Sequence, residues 1–293
     1  MENRPHTKDI KKVKLHIGGG KYEAFSLSDK NEFAKRNIII ADSAIIQDPW
    51  HQITEYTDTV HMVIIDDGVR IGENTEIKFG ASIGCGSYIG DFVKIGNFVI
   101  IEDGVSIDND TRIGDNAKIR KKSLIDDSVS IASGVRIGCN TIIKGGVTIH
   151  ISTHLGDDVY IGFSAEIGGY TQIEQKVKIG EYARIGTCAR IQSNTSIKDN
   201  TIIGYGARIT NKDNPKGLLI TGFKAPLSYW GEDKVAIGTK HYTFSEWDEL
   251  IKTNTQGYYY NTPQYQISIS EMKDYDNCIQ LIKQFHKLYG FTI

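Results

Sequence analysis

Proline is scarce in this chain: five prolines stand among 293 residues, against thirty glycines. That balance points to many turns. The four cysteines, at 85, 139, 188 and 278, lack metal-ligand spacing and are expected as free thiols. No apolar run approaches the roughly 20 residues that span a bilayer, and the N-terminus MENRPHTKDIKKVKLHIGGG holds no stretch suited to a signal peptide. A cytoplasmic setting without a membrane partner is the expectation. The formal charge is only −2, so no general attraction to polymeric nucleic acid follows and any charge argument must be local.

What the chain does have is a period. Counting in sixes from Ile71 to Ile209 gives 24 positions, all Ile except Leu155. Two residues before each of them stands Ser, Thr, Ala or Val, and the residue after is Gly in half of the hexads. Alternate residues of a strand share a face, so the small residue and the Ile point inward while the residue between them points out. The corner that follows suits Gly, Asn and Asp, which tolerate tight backbone. A helix would scatter these isoleucines around its circumference and is excluded. The fold class is mainly β.

The pattern resembles the hexapeptide-repeat family of acyltransferases. The resemblance implies a left-handed parallel β-helix of triangular section with 18 residues per coil; its handedness, against the usual right-handed crossover, rests on the resemblance alone. It covers residues 63–210, about eight coils. Residues 1–62, with strand-like VKLHI and NIIIA, are expected as an N-terminal cap over one open sheet edge. The triple glycine 18–20 reads as a hairpin turn. Residues 211–293 form a C-terminal region with helices: TFSEWDELIK begins with cap-like Thr243 and Ser245. A terminal helix places Met272, Tyr275, Ile279, Ile282, Phe285 and Tyr289 at helical spacing, with Gly290 as a stop. The stretch SYWGEDKVAIGTKHYTFSEW is similar to tails of uncharacterised phage-type proteins.

A period of 18 stacks the outward residues in three columns. The first contains Tyr88, Leu124, Ile142 and Tyr160, apolar groups unsuited to water. A homotrimer contact, which the resemblance also implies, competes with burial under the chain's own terminal region. The second column is mixed. The third runs Ser82, Ile100, Lys118, Arg136, His154, Gln172, Arg190, Arg208, with Arg120, Lys121 and Lys122 at one corner and Phe98, His150, Tyr170 and Tyr205 at the other. Like charges stacked so closely repel, so either nearby acids neutralise them or the face awaits an anion. Rings beside cations favour a nucleotide-type ligand, held by Lys118, Arg120, Lys121, Lys122, Arg136, Tyr170, Gln172, Arg190 and Arg208.

The register makes His150 and His154 surface groups. In many hexapeptide acyltransferases a histidine in the intersubunit cleft is the general base on an acceptor hydroxyl or amine, which implies that role for His154 or His150, with Asp157 or Asp158 orienting the ring. The family's usual histidine falls two residues after the aliphatic position, where this chain has Ile151, and the long inserted loop of many acetyltransferases is missing. UDP-N-acetylglucosamine acyltransferases, with a long prism and helical C-terminal region, are the nearer parallel. No metal is expected, since only two histidines lie inside the repeat. Cys85 and Cys139 sit at equivalent corners, about 14 Å apart by coil spacing, too far for a disulfide. Two functions remain open: an acyltransferase using coenzyme A or an acyl carrier, and a non-catalytic binder of an anionic ligand. A rigid assembly part is a third.

Overall fold

The isoleucine at each sixth position ends a two-residue strand whose other member faces out. Such strands run from β5 (Ile64–Ile65) to β29 (Arg208–Ile209) in the computed structural model. It describes residues 12–47, 62–209, 218–220, 227–229, 234–237, 240–253 and 269–289. Every third strand pairs in parallel, giving three sheets, one per face of a prism. The register is 18 residues throughout, as in Arg136 beside His154 and His154 beside Gln172. The chain is a parallel β-solenoid, and the repeat from β6 (Arg70–Ile71) to β29 makes about eight coils.

The interior is the stack of isoleucines and their small partners, from Val69 and Ile71 to Ala207 and Ile209. Buried hydroxyls need acceptors. Thr153 Oγ1 donates to the Gly168 carbonyl at 2.9 Å, and Ser123 Oγ donates to that of Gly138 at 2.8 Å. Threonine and serine therefore serve as small core residues without unmet polar groups.

Corners explain the glycines. A Cβ on Gly138 would lie 2.3 Å from the carbonyl carbon of Gly156 on the next coil, so a side chain there would force the coils apart. The last corner residue has positive φ, as at Asn116 (59°), but also at Phe98 (55°) and Tyr170 (57°). Asparagine takes this conformation readily, whereas a bulky residue is strained by about 1–2 kcal/mol. Carboxylates and amides bolt corners together: Asp91 Oδ1 accepts the Glu73 N–H at 2.7 Å, and Asn109 Oδ1 that of Asp91 at 2.8 Å.

The N-terminal segment extends the prism. Strand β1 (Lys12–Gly18) pairs in parallel with β5 and antiparallel with β2 (Lys21–Ser26). Gly19 and Gly20, with φ of 60° and 72°, form the turn between them. Helix α1 (Lys30–Lys35) starts at Asp29, whose Oδ1 accepts the Glu32 N–H at 3.3 Å, and buries Phe33. Strands β3 (Ile39–Ile40) and β4 (Ile45–Ile46) then join the other two sheets. Residues 1–11 and 48–61 of the expected cap lie outside the described residues.

A second core belongs to the C-terminal region. Strands β30 (Leu218–Ile220), β31 (Leu227–Tyr229), β32 (Lys234–Ile237) and β33 (Lys240–Thr243) form an antiparallel sheet. Helix α2 (Phe244–Thr253) opens with a capping box: Thr243 Oγ1 accepts the Glu246 N–H at 3.1 Å, while Glu246 Oε2 accepts that of Thr243 at 2.7 Å. Helix α3 (Ile269–Tyr289) buries Tyr275, Ile279 and Ile282 against Trp247, Tyr229 and Val235. Gly290 lies outside the described residues, as do several residues of the stretch SYWGEDKVAIGTKHYTFSEW. Among the described residues no helix is long and apolar enough to cross a membrane.

Candidate functional site

Outward residues of β14 (Lys118–Ile119), β17 (Arg136–Ile137), β20 (His154–Leu155) and β23 (Gln172–Ile173) form one wall of an open groove of about 1020 Å³. Phe98 and Ile100 close its lower end. Asp157, Glu174, Gln175 and Ser193 reach in from one corner. The end at Phe98 is shaped by Gly80: a Cβ there would lie 2.4 Å from the Phe98 ring, so the ring folds down over the glycine and meets Phe79 edge-on at 5.5 Å.

Of the residues that the column pattern singles out, Lys118, Arg120, Arg136, His154, Asp157 and Gln172 meet in this groove. Lys121, Lys122, Tyr170, Arg190 and Arg208 do not line it. Arg190 and Arg208 continue the same stripe on β26 (Arg190–Ile191) and β29, exposed above the groove. Tyr170 stands 60% exposed at the corner.

The two histidines part company. His154 points out between Arg136 and Gln172 and lines the groove. His150 Nε2 instead lies 3.1 Å from Glu166 Oε1 on the second face, with Arg184 Nε 3.9 Å from the other Glu166 oxygen. Asp157 holds neither ring: its Oδ1 accepts from Arg120 Nη1 at 3.0 Å and from the Cys139 N–H at 2.8 Å.

Neutralisation of the stripe is partial. Lys118 Nζ sits 3.0 Å from Glu102 Oε1, Arg120 pairs with Asp157, and Lys121 Nζ lies 2.9 Å from Asp103 Oδ2. Among the described residues no ion pair involves Arg136 or Arg190. The groove therefore keeps an uncompensated cation one rung from His154. On the next rung Glu174 Oε2 accepts from the Ser193 hydroxyl at 2.7 Å and its N–H at 3.0 Å. These bonds hold the Glu174 carboxyl below the usual carboxylate range, so it is a fixed anion facing the same space.

Glu102 and Glu174 are absent from the sequence reading because they stand at the first corner position, beside the column and not in it. That position, directly after Ile101 and Ile173, is the signal that finds them.

The first face leaves its apolar column open. Tyr88 and Leu124 are 42% and 45% exposed, so among the described residues no terminal segment covers them.

Comparison with known proteins agrees with the repeat. Residues 86–121 and 176–211 match the model of the bacterial transferase hexapeptide (six repeats). No curated protein sequence matches the chain. Among solved structures, the UDP-N-acetylglucosamine O-acyltransferase from Moraxella catarrhalis is similar at 20% identity, over 59% of this chain and 65% of that one, with a TM-score of 0.23. The Francisella novicida UDP-N-acetylglucosamine acyltransferase gives 21% identity over 55% and 60%, TM-score 0.25. A perosamine N-acetyltransferase from Caulobacter crescentus, solved with CoA and GDP-perosamine, gives 12% over 57% and 52%, TM-score 0.20. The chain thus spans less than two thirds of the length of each of these three. Over those two stretches the chain carries the hexapeptide repeat of bacterial transferases.

Proposed function

We propose that the protein is a homotrimeric acyltransferase of the cytoplasm, moving an acyl group from coenzyme A or an acyl carrier to an amine or hydroxyl on an anionic, nucleotide-type acceptor. The observation that carries this reading is His154 in an open groove beside the unpaired Arg136. His154 takes the acceptor proton as the acceptor nitrogen or oxygen attacks the thioester carbonyl. The C–S bond then breaks, and the thiolate leaves with a proton. Arg136 and Lys118 hold phosphate oxygens, Phe98 offers a stacking face, and Gln172 and Glu174 contact the acceptor. The match to a transferase repeat supports the class of reaction. The exposed column of Tyr88 and Leu124 supports a trimer in which a neighbouring subunit completes the cleft. Sedimentation should give a trimer, and acetyl- or acyl-CoA turnover over a panel of amines and hydroxyls should depend on His154. Absence of both CoA binding and turnover would sink the proposal.

One observation favours a second reading, in which the groove captures an anionic nucleotide without chemistry. The family's usual histidine position holds Ile151, which is exposed and outside the groove. In that case a bound nucleotide is recovered unchanged, and Arg136→Ala abolishes its binding.

A further inference from the structure

Away from the groove, three successive coils bring unlike metal-binding atoms together at one corner. Asp66 follows Ile65 directly, while Cys85 and Asp103 are the second residues after Ile83 and Ile101. One carboxylate oxygen from each aspartate and Cys85 Sγ all lie within 4.8 Å of one another. The chain order hides this convergence, since only stacking of coils produces it.

One further observation points to a ligand there. Asp66 Oδ1 is sealed from solvent and has no hydrogen-bond partner, so a buried acceptor is left unmet inside the cluster. The N-terminal hairpin also lays His16 and Tyr22, with rings 5.3 Å apart, beside this corner, and the Tyr22 hydroxyl faces the Asp66 carboxylate. Asp103 is already oriented: its Oδ1 accepts the Cys85 N–H at 3.2 Å, and Lys121 holds its Oδ2. Cys85 stays exposed, which leaves one side open to solvent.

We propose that Asp66, Cys85 and Asp103 bind a divalent transition-metal ion of the zinc type, with an open coordination position beside Cys85. Two carboxylates and a thiolate suit a borderline ion, whereas magnesium and calcium take oxygen donors. Bonds of about 2.0–2.3 Å place tetrahedral ligands roughly 3.5 Å apart, so small side-chain rotations complete the set. Binding releases the Cys85 proton, so affinity rises with pH. The ion ties the first three coils together where the hairpin docks on them. This site is independent of the acyl-transfer reading.

Cobalt titration of the chelator-treated full-length protein tests it. One equivalent of Co²⁺ should give a thiolate-to-cobalt charge-transfer band that zinc abolishes by competition. Cys85→Ser should remove the band, and Asp66→Asn or Asp103→Asn should weaken binding at least tenfold. Cys139→Ser, at the same corner three coils on, should leave it unchanged. The proposal is overturned if the folded wild-type protein shows no band, if the band survives Cys85→Ser, or if Asp66→Asn binds as tightly as wild type. Circular dichroism of each variant separates lost binding from lost fold, and the wild-type result decides the matter if a variant fails to fold.

Discussion

Arg120 Nη1 and Asp157 Oδ1 lie 3.0 Å apart although 37 residues separate them in the chain. Two coils and one residue make that interval, so the pair closes across the corner that borders the groove. Each partner occupies the other: the cation is paired, and the carboxylate binds Arg120 and the Cys139 N–H, not His154.

Asp157→Asn should therefore tighten the binding of an anionic ligand. An exposed ion pair is worth about 0–1 kcal/mol, so releasing Arg120 should raise CoA affinity by up to about fivefold. Calorimetry checks the sign. Weaker binding would mean that Asp157 itself holds the ligand.

The two histidines should behave differently. His154→Ala should lower kcat by about 10²–10⁴, the usual worth of a general base, with KM little changed. His150→Ala, whose ring faces Glu166, should stay within about twofold of wild type. Steady-state kinetics on both variants decides between them, and equal losses would refute the assignment.

Arg136 and Arg190 share a column but not the groove. A hydrogen bond to a charged group contributes about 1.5–3 kcal/mol, so Arg136→Ala should weaken binding roughly 10- to 150-fold. Arg190→Ala should cost much less and should act mainly through long-range attraction, fading as salt is added. Titrations at two ionic strengths distinguish the two.

Gly138→Ala should destabilise the prism more than Gly86→Ala. At Gly138 the new methyl meets backbone of the next coil at 2.3 Å, whereas at Gly86 it meets open space and only the positive φ of 66° is unfavourable. The second change should cost about 1–2 kcal/mol. Thermal melts of both variants should show the larger fall in Tm for Gly138→Ala.

Alkaline stability should depend on Tyr229. Burial pushes its phenol up to about 12, and its hydroxyl lies 2.6 Å from His286 Nδ1. The unfolded chain loses this proton near pH 10, the folded one later, so stability is unaffected below about pH 10 and declines from there to about 12. Chemical denaturation over that interval should show the decline in wild type and a flatter profile in Tyr229→Phe.

The prism was legible because Ile or Leu at every sixth residue leaves no other way to bury the apolar side. The N-terminal strands were harder to place. Ile40 and Ile46 keep the six-residue spacing, but Ile65 follows Ile46 by 19 residues, which breaks the frame although β3 and β4 still join the sheets. The column arithmetic placed Lys118, Arg136, His154 and Gln172 in line. It could not show that Lys118 leans to Glu102 or His150 to Glu166, because a period fixes where a side chain starts and its length decides where it ends. The Asp66, Cys85 and Asp103 convergence escaped for a related reason: Asp66 is one place out of step with the other two.

Near-identical interior rungs carry a hazard of their own. An isoleucine stack cannot tell one neighbour from the next, so a growing solenoid that skips a turn buries almost the same oil. The distinguishing marks sit outside, in side-chain pairs such as Lys121 with Asp103 and Arg120 with Asp157. Faithful assembly order is thus written on the rim, where a single altered aspartate would confuse it without emptying any cavity.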